Sequence, residues 1–80
     1  MLKKLIIDKY KVQSNGADGR HNYILTEIEH EGKKRKLIIL FANKSDERDL
    51  KDNVPIQING QLEDEGENFD LIMRNTTLEK

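Results

Sequence analysis

The nine residues Val54 to Leu62, VPIQINGQL, constrain this chain more than any other stretch. Apolar side chains fall at 54, 56, 58 and 62 with Gly at 60, and polar ones lie between them. Period two is the signature of a strand with one buried face. The acidic run EDEGE, Glu63 to Glu67, breaks the pattern, and Phe69, Leu71 and Met73 then give a second inward face. The pair reads as two strands folded back on each other at Asp64–Glu67. Asn59–Gly60 is a competing two-residue turn, but the alternation runs through it to Leu62, so Gly60 reads as a bend inside the strand. Pro55 opens that strand, where a missing N–H does least harm.

Upstream, Leu2 to Val12 reads as one strand with a fault. Leu5 and Ile7 share a face and Tyr10 and Val12 the other, so a bulge near Asp8–Lys9 would return all four to one side. Ser14 to Asn22, SNGADGRHN, is rich in turn residues. YILTEIEH and KLIILFAN then form a hairpin around Gly32. With Gly32–Lys33 as the turn, Glu31 faces Lys34, Glu29 faces Lys36, Ile28 faces Leu37 and Ile24 faces Phe41, which matches charge to charge and apolar to apolar. In NKSDERDLKDN the period changes to that of a short helix. Ser45 is its N-cap, Asp46 and Glu47 lie in the first turn, Lys51 in the last, Asn53 is its stop and Leu50 its one apolar anchor.

Eighty residues with 35% apolar side chains make a single domain, residues 1–80, near the lower limit for one self-supporting core. There is no Cys, hence no disulfide and no thiolate metal site. The longest apolar run, Leu37 to Ala42, is far too short to span a bilayer, and Asp8 and Lys9 cut the N-terminal apolar run too early for a secretory signal. A cytoplasmic protein with no membrane association is expected. The net charge of −1 hides an asymmetry: residues 1–44 carry +5 and residues 45–80 carry −6. Such a split fits a basic working face, and equally a solubility pattern.

Three strands, a short helix and two strands, with a faulted first strand and a bending Gly in the fourth, resemble the OB-fold. That resemblance implies an all-β, five-stranded Greek-key barrel with one short helix between strands 3 and 4. It also implies binding across strands 2 and 3, where Tyr23, Leu25, Glu27, Ile38 and Leu40 would face outward, flanked by the loops Ser14–Asn22 and Glu63–Asn68. Single-stranded DNA or RNA is one expected partner. Tyr23 offers a ring for stacking, as would Tyr10 if it faced outward, and Arg20, Lys33, Lys34, Arg35 and Lys36 offer cations for phosphates. Against this, Glu29 and Glu31 would offset Lys36 and Lys34, and EDEGE would repel phosphate. A second reading uses the same face differently: Leu25, Ile38 and Leu40 beside Tyr23 would form an aliphatic patch for a protein partner or a homodimer.

No catalytic or cofactor motif appears. His21 and His30 stand nine apart with no metal-binding or nucleophile pattern around them, and both read as surface histidines. NGADG lacks the carboxylate offsets of a calcium loop. The expectation is a non-catalytic binding module with no cofactor and no metal.

Overall fold

The computed structural model describes residues 2–15, 21–48 and 50–79, without the side chains of Asn15 and His21. The elements are β1 (Leu2–Ile7), β2 (Tyr10–Asn15), β3 (His21–His30), β4 (Lys33–Phe41), α1 (Lys44–Arg48), β5 (Ile56–Glu63) and β6 (Leu71–Leu78). The protein is mainly β: the described residues form one sheet of six strands in the order β1-β5-β6-β4-β3-β2, with one short helix. The β4–β6 ladder is parallel and the other four are antiparallel.

Six strands replace the expected five because Leu2–Val12 is not continuous. It breaks at Asp8–Lys9, and its halves pair at opposite edges, β1 with β5 and β2 with β3. In a flat sheet with strands about 4.8 Å apart, the two edges would stand roughly 24 Å from each other. The three Cα steps from Ile7 to Tyr10 reach about 11 Å at most. The sheet therefore curls until its edges approach, which is the half-barrel observed. The break also acts as the expected fault, since Ile7 and Tyr10 are both buried and Leu5 and Val12 pack against the same core. Ile24, Leu37, Ile39, Ile58, Leu71 and Met73 complete its centre with no exposed surface.

The β3–β4 hairpin turns at Glu31–Gly32 rather than Gly32–Lys33. Both turn residues have positive φ, 54° and 80°, as a type I′ turn requires, and this register puts Gly at its second central position. Every pairing moves by two residues: Glu29 faces Lys34, Glu27 faces Lys36, Ile28 faces Arg35 and Ile24 faces Ile39. A shift of two preserves which side chains point inward, so the core face stands as expected. The helix is shorter than its sequence pattern. It spans Lys44–Arg48, starting before Ser45 and ending before Lys51. Asp46 is buried, and its Oδ2 accepts from the Leu78 N–H at 3.2 Å. It thus ties the helix to the end of β6.

β5 runs unbroken through Gly60, where its register with β6 shifts between Asn59 and Gln61. Gly60 is the expected bend. Phe69, expected to face inward, is 62% exposed.

The outer edge of β2 is covered by the loop that follows α1. The Tyr10 N–H donates to Asn53 Oδ1 at 3.0 Å and the Val12 N–H to Asp52 Oδ1 at 2.7 Å. The buried Tyr10 hydroxyl donates to the Val54 carbonyl. Burial pushes the Tyr10 phenol above its ordinary value, and the Asp52 carboxylate adds to the rise. A raised phenol stabilises the fold in full below the unfolded chain's value near 10. That contribution is lost as pH climbs from there through the raised folded value. Tyr10→Phe should cost about 0.5–1.5 kcal/mol at neutral pH through the lost hydrogen bond, and should flatten the fall in stability above about pH 10. Urea unfolding across that range measures both; an unchanged alkaline limb would refute the assignment.

Candidate nucleic-acid interface

Strand alternation divides the basic run Lys33–Lys36 in two. Arg35 pairs with Ile28 and Lys33 with His30, on the side of the sheet that carries the core; Lys34 and Lys36 pair with Glu29 and Glu27 on the outer side. Lys33 and Arg35 are both occupied. Lys33 Nζ bonds Glu67 Oε1. Arg35 Nη2 donates toward Asp64 Oδ1 at 3.1 Å, the Gly66 carbonyl at 2.8 Å and the Phe69 carbonyl at 2.9 Å, and its side chain is only 12% exposed. The Gly66 N–H and then Arg35 hold the Asp64 carboxyl below its usual range. The acidic turn is thus clamped to the start of β4, and three carboxylates of EDEGE are matched by cations: Glu63 by Arg74, Asp64 by Arg35 and Glu67 by Lys33. This weakens the repulsion that EDEGE would exert on a phosphate.

On the outer face lies a groove of about 640 Å³. Leu25 and Ile38, directly opposite each other, supply apolar lining, and Lys9, Lys11, Lys34 and Lys36 stand around them, with Glu27 and Asp70 as the carboxylates. Lys11 Nζ lies 3.9 Å from Asp52 Oδ2. Lys9, Lys34 and Lys36 have no carboxylate oxygen within 4.0 Å among the described residues. Their strand neighbours Glu27 and Glu29 sit opposite in register without closing an ion pair.

Of the residues singled out from sequence, the groove brings together Leu25, Glu27, Lys34, Lys36 and Ile38. Tyr23 and Leu40 form the next outward-facing pair along the β3–β4 ladder, both half-buried, beyond the groove lining. Lys33 and Arg35 are spent on the acidic turn. Arg20 and the NGADG segment from Gly16 lie outside the described residues, as does the side chain of His21. Tyr10 is buried and offers no outward ring. Lys9 and Lys11 were missed, although their signal was present: once Tyr10 and Val12 face the core, alternation sends both lysines outward.

His30, Glu31 and Asp64 bring an imidazole and two carboxylates within 4.8 Å of one another. A divalent cation there would compete with Arg35 for the Asp64 carboxylate, and His30 Nε2 already lies 3.5 Å from Asp64 Oδ2. The cluster belongs to the clamp on the turn. Among the described residues, no helix is long and apolar enough to cross a membrane. No family model, curated protein or solved structure matches the chain.

Proposed function

We propose that this chain is a non-catalytic cytoplasmic module that binds single-stranded nucleic acid across β3 and β4, on an OB-like Greek-key barrel. The strand order supports the barrel reading. If β1 and β2 are one bent strand, the ladders run as in a five-stranded barrel whose first strand pairs at both ends, and the helix falls between its third and fourth strands. One observation carries the ligand class: three lysines, without carboxylate partners among the described residues, stand around an outward floor of Leu25 and Ile38. Cations along a track meet phosphates, while an apolar floor and a nearby ring suit bases of any sequence.

The aliphatic floor also favours a second reading, a protein-interaction or self-associating module, because Leu25 is 39% exposed at its centre. Salt separates the two. Fluorescence anisotropy with a labelled mixed-sequence oligonucleotide, DNA and then RNA, should show affinity falling steeply as salt rises. Absence of binding, together with a concentration-dependent increase in molecular mass that Leu25→Glu reverses, would replace the first reading with the second.

A further inference from the structure

We propose that the free edge of β1 pairs with the same edge of a second copy of this chain, in an antiparallel dimer centred on Lys4. The sheet has two outer edges, β1 and β2, and the chain treats them differently. On β2 the Asn53 and Asp52 side chains take the outward N–H groups of Tyr10 and Val12. On β1 the backbone pairs with β5 on one side, and among the described residues no hydrogen bond reaches the other side. Unpaired N–H and C=O groups along a strand edge are a template for another strand.

The side chains single out this edge further. Leu2 and Ile6 stand on the face away from the core, 77% and 75% exposed, and are the two most exposed large apolar side chains among the described residues. A lysine commonly blunts such an edge, and Lys4 lies between them. Its Nζ, however, is 3.0 Å from Glu79 Oε1. Glu79 is itself tied to β5: its N–H donates to the Gln57 carbonyl at 2.8 Å, and its carboxylate meets the side chains of Asn59 and Gln57. The ammonium is thus drawn toward β5, away from the open edge, with its charge offset.

Register selects the occupant. Facing residues of an antiparallel pair point to the same face of the sheet, and a two-fold axis sets the same patch of each copy against the other. Centred on Lys3, the pairing would put Leu2 against Lys4 and one Lys3 against the other. Centred on Leu5, it would put Lys4 against Ile6 and Lys3 against Ile7. Centred on Lys4, Leu2 of each copy faces Ile6 of the other, and the two Lys4 side chains meet with a Glu79 carboxylate beside each. Of the three, only this register sets apolar against apolar on the exposed face, the matching that stabilises cross-strand pairs. On the core side it lays the Lys3 stem against the half-buried Leu5. The strand is complementary to itself, in shape and in charge. The pairing uses no residue that lines the groove, so it stands apart from the nucleic-acid reading. An edge of six residues belongs to the small end of interfaces, so the dimer should form reversibly at high protein concentration.

The chain contains no Cys, so one introduced thiol reports on the contact. Facing Cα atoms in an antiparallel pair lie about 4.5–5.5 Å apart, within the reach of a disulfide. Under mild oxidation at high protein concentration, Lys4→Cys should give mostly disulfide dimer, while Glu65→Cys on the exposed acidic turn should stay mostly monomeric. Leu2→Cys mixed with Ile6→Cys should cross-link faster than either variant alone. Sedimentation equilibrium of the wild type should show the mass rising toward twice the monomer value with concentration. Ile6→Lys should hold it at the monomer value, with an unchanged urea midpoint in dilute solution because the side chain is exposed, and Leu25→Glu should leave the dimer intact. A wild type that stays monomeric, with Lys4→Cys cross-linking no faster than Glu65→Cys, would overturn the proposal and leave the edge to a strand of some other protein. A dimer that Leu25→Glu dissolves and Ile6→Lys does not would overturn it as well, and would move self-association to the groove.

Discussion

Replacing Lys34 and Lys36 together with glutamate should abolish oligonucleotide binding at moderate salt, and replacing them with alanine should change how binding responds to salt. Each phosphate neutralised on a single strand contributes about −0.7 to the slope of log affinity against log salt. The three groove lysines without a described carboxylate partner predict a wild-type slope of about −2.1, and the double alanine variant should show about −0.7. Lys33→Ala is the contrasting control. Its ammonium is paired with Glu67 and lies on the other side of the sheet, so its removal should leave the slope nearly unchanged. Equal slopes for the wild type and the double alanine variant would remove Lys34 and Lys36 from the interface. The comparison isolates strand alternation itself, because the four basic residues are adjacent in sequence and differ chiefly in the face they occupy.

Gly60→Ala should destabilise the sheet strongly for the addition of a single methyl group. A Cβ built there would sit 2.6 Å from Met73 Cγ, 2.6 Å from Thr76 Oγ1 and 3.1 Å from the Arg74 carbonyl. Met73 and Thr76 are fully buried, so neither can swing into solvent to make room. Overpacking of this kind typically costs about 1–3 kcal/mol, and a single core in a domain of this size rarely supplies more than roughly 3–5 kcal/mol. Urea unfolding should show the midpoint falling by a large part of its value. Gly66→Ala separates space from backbone: nothing lies within 4 Å of its Cβ, but φ is +120°, so any loss there comes from backbone strain alone. A midpoint unmoved by Gly60→Ala would mean that β5 and β6 do not approach so closely at this bend.

Periodicity made most of the inward-facing residues legible before any coordinates. Ile24, Leu37, Ile39, Ile58, Leu62, Leu71 and Met73 follow from period-two alternation, and Gly60 stood out because it sits on the buried face of an otherwise unbroken strand. The misses have a common cause: each depends on what a segment meets rather than on its own pattern. Nothing within Leu2–Val12 says that its halves pair with different strands, so a fault and a full break look alike. Phe69 continues an inward pattern, and only the turn closed by Gly66 and Arg35 lifts it out. The hairpin register moved by two because the charge pairs fit either choice, and the positive φ demanded at Glu31 and Gly32 decided between them. The outward placement of Lys34 and Lys36 beside the groove was legible, whereas the diversion of Lys33 and Arg35 required knowing where the acidic turn lands.

The two-residue link at Asp8–Lys9 also sets the order of assembly. The β3–β4 hairpin closes over a two-residue turn, an event of microseconds. In the β1–β5 ladder Leu2 pairs with Gln61 and Ile7 with Ile56, so each pairing must close a loop of roughly fifty to sixty residues and meets the entropy of doing so. Sheets governed by such distant pairings fold in milliseconds to seconds. On the ribosome the wait is longer, because β1 precedes its partner and the full ladder needs the chain made through Gln61. Of the two halves of the bent segment, β2 pairs locally with β3 while β1 waits for β5, so the curl of the sheet closes only after β5 has been made.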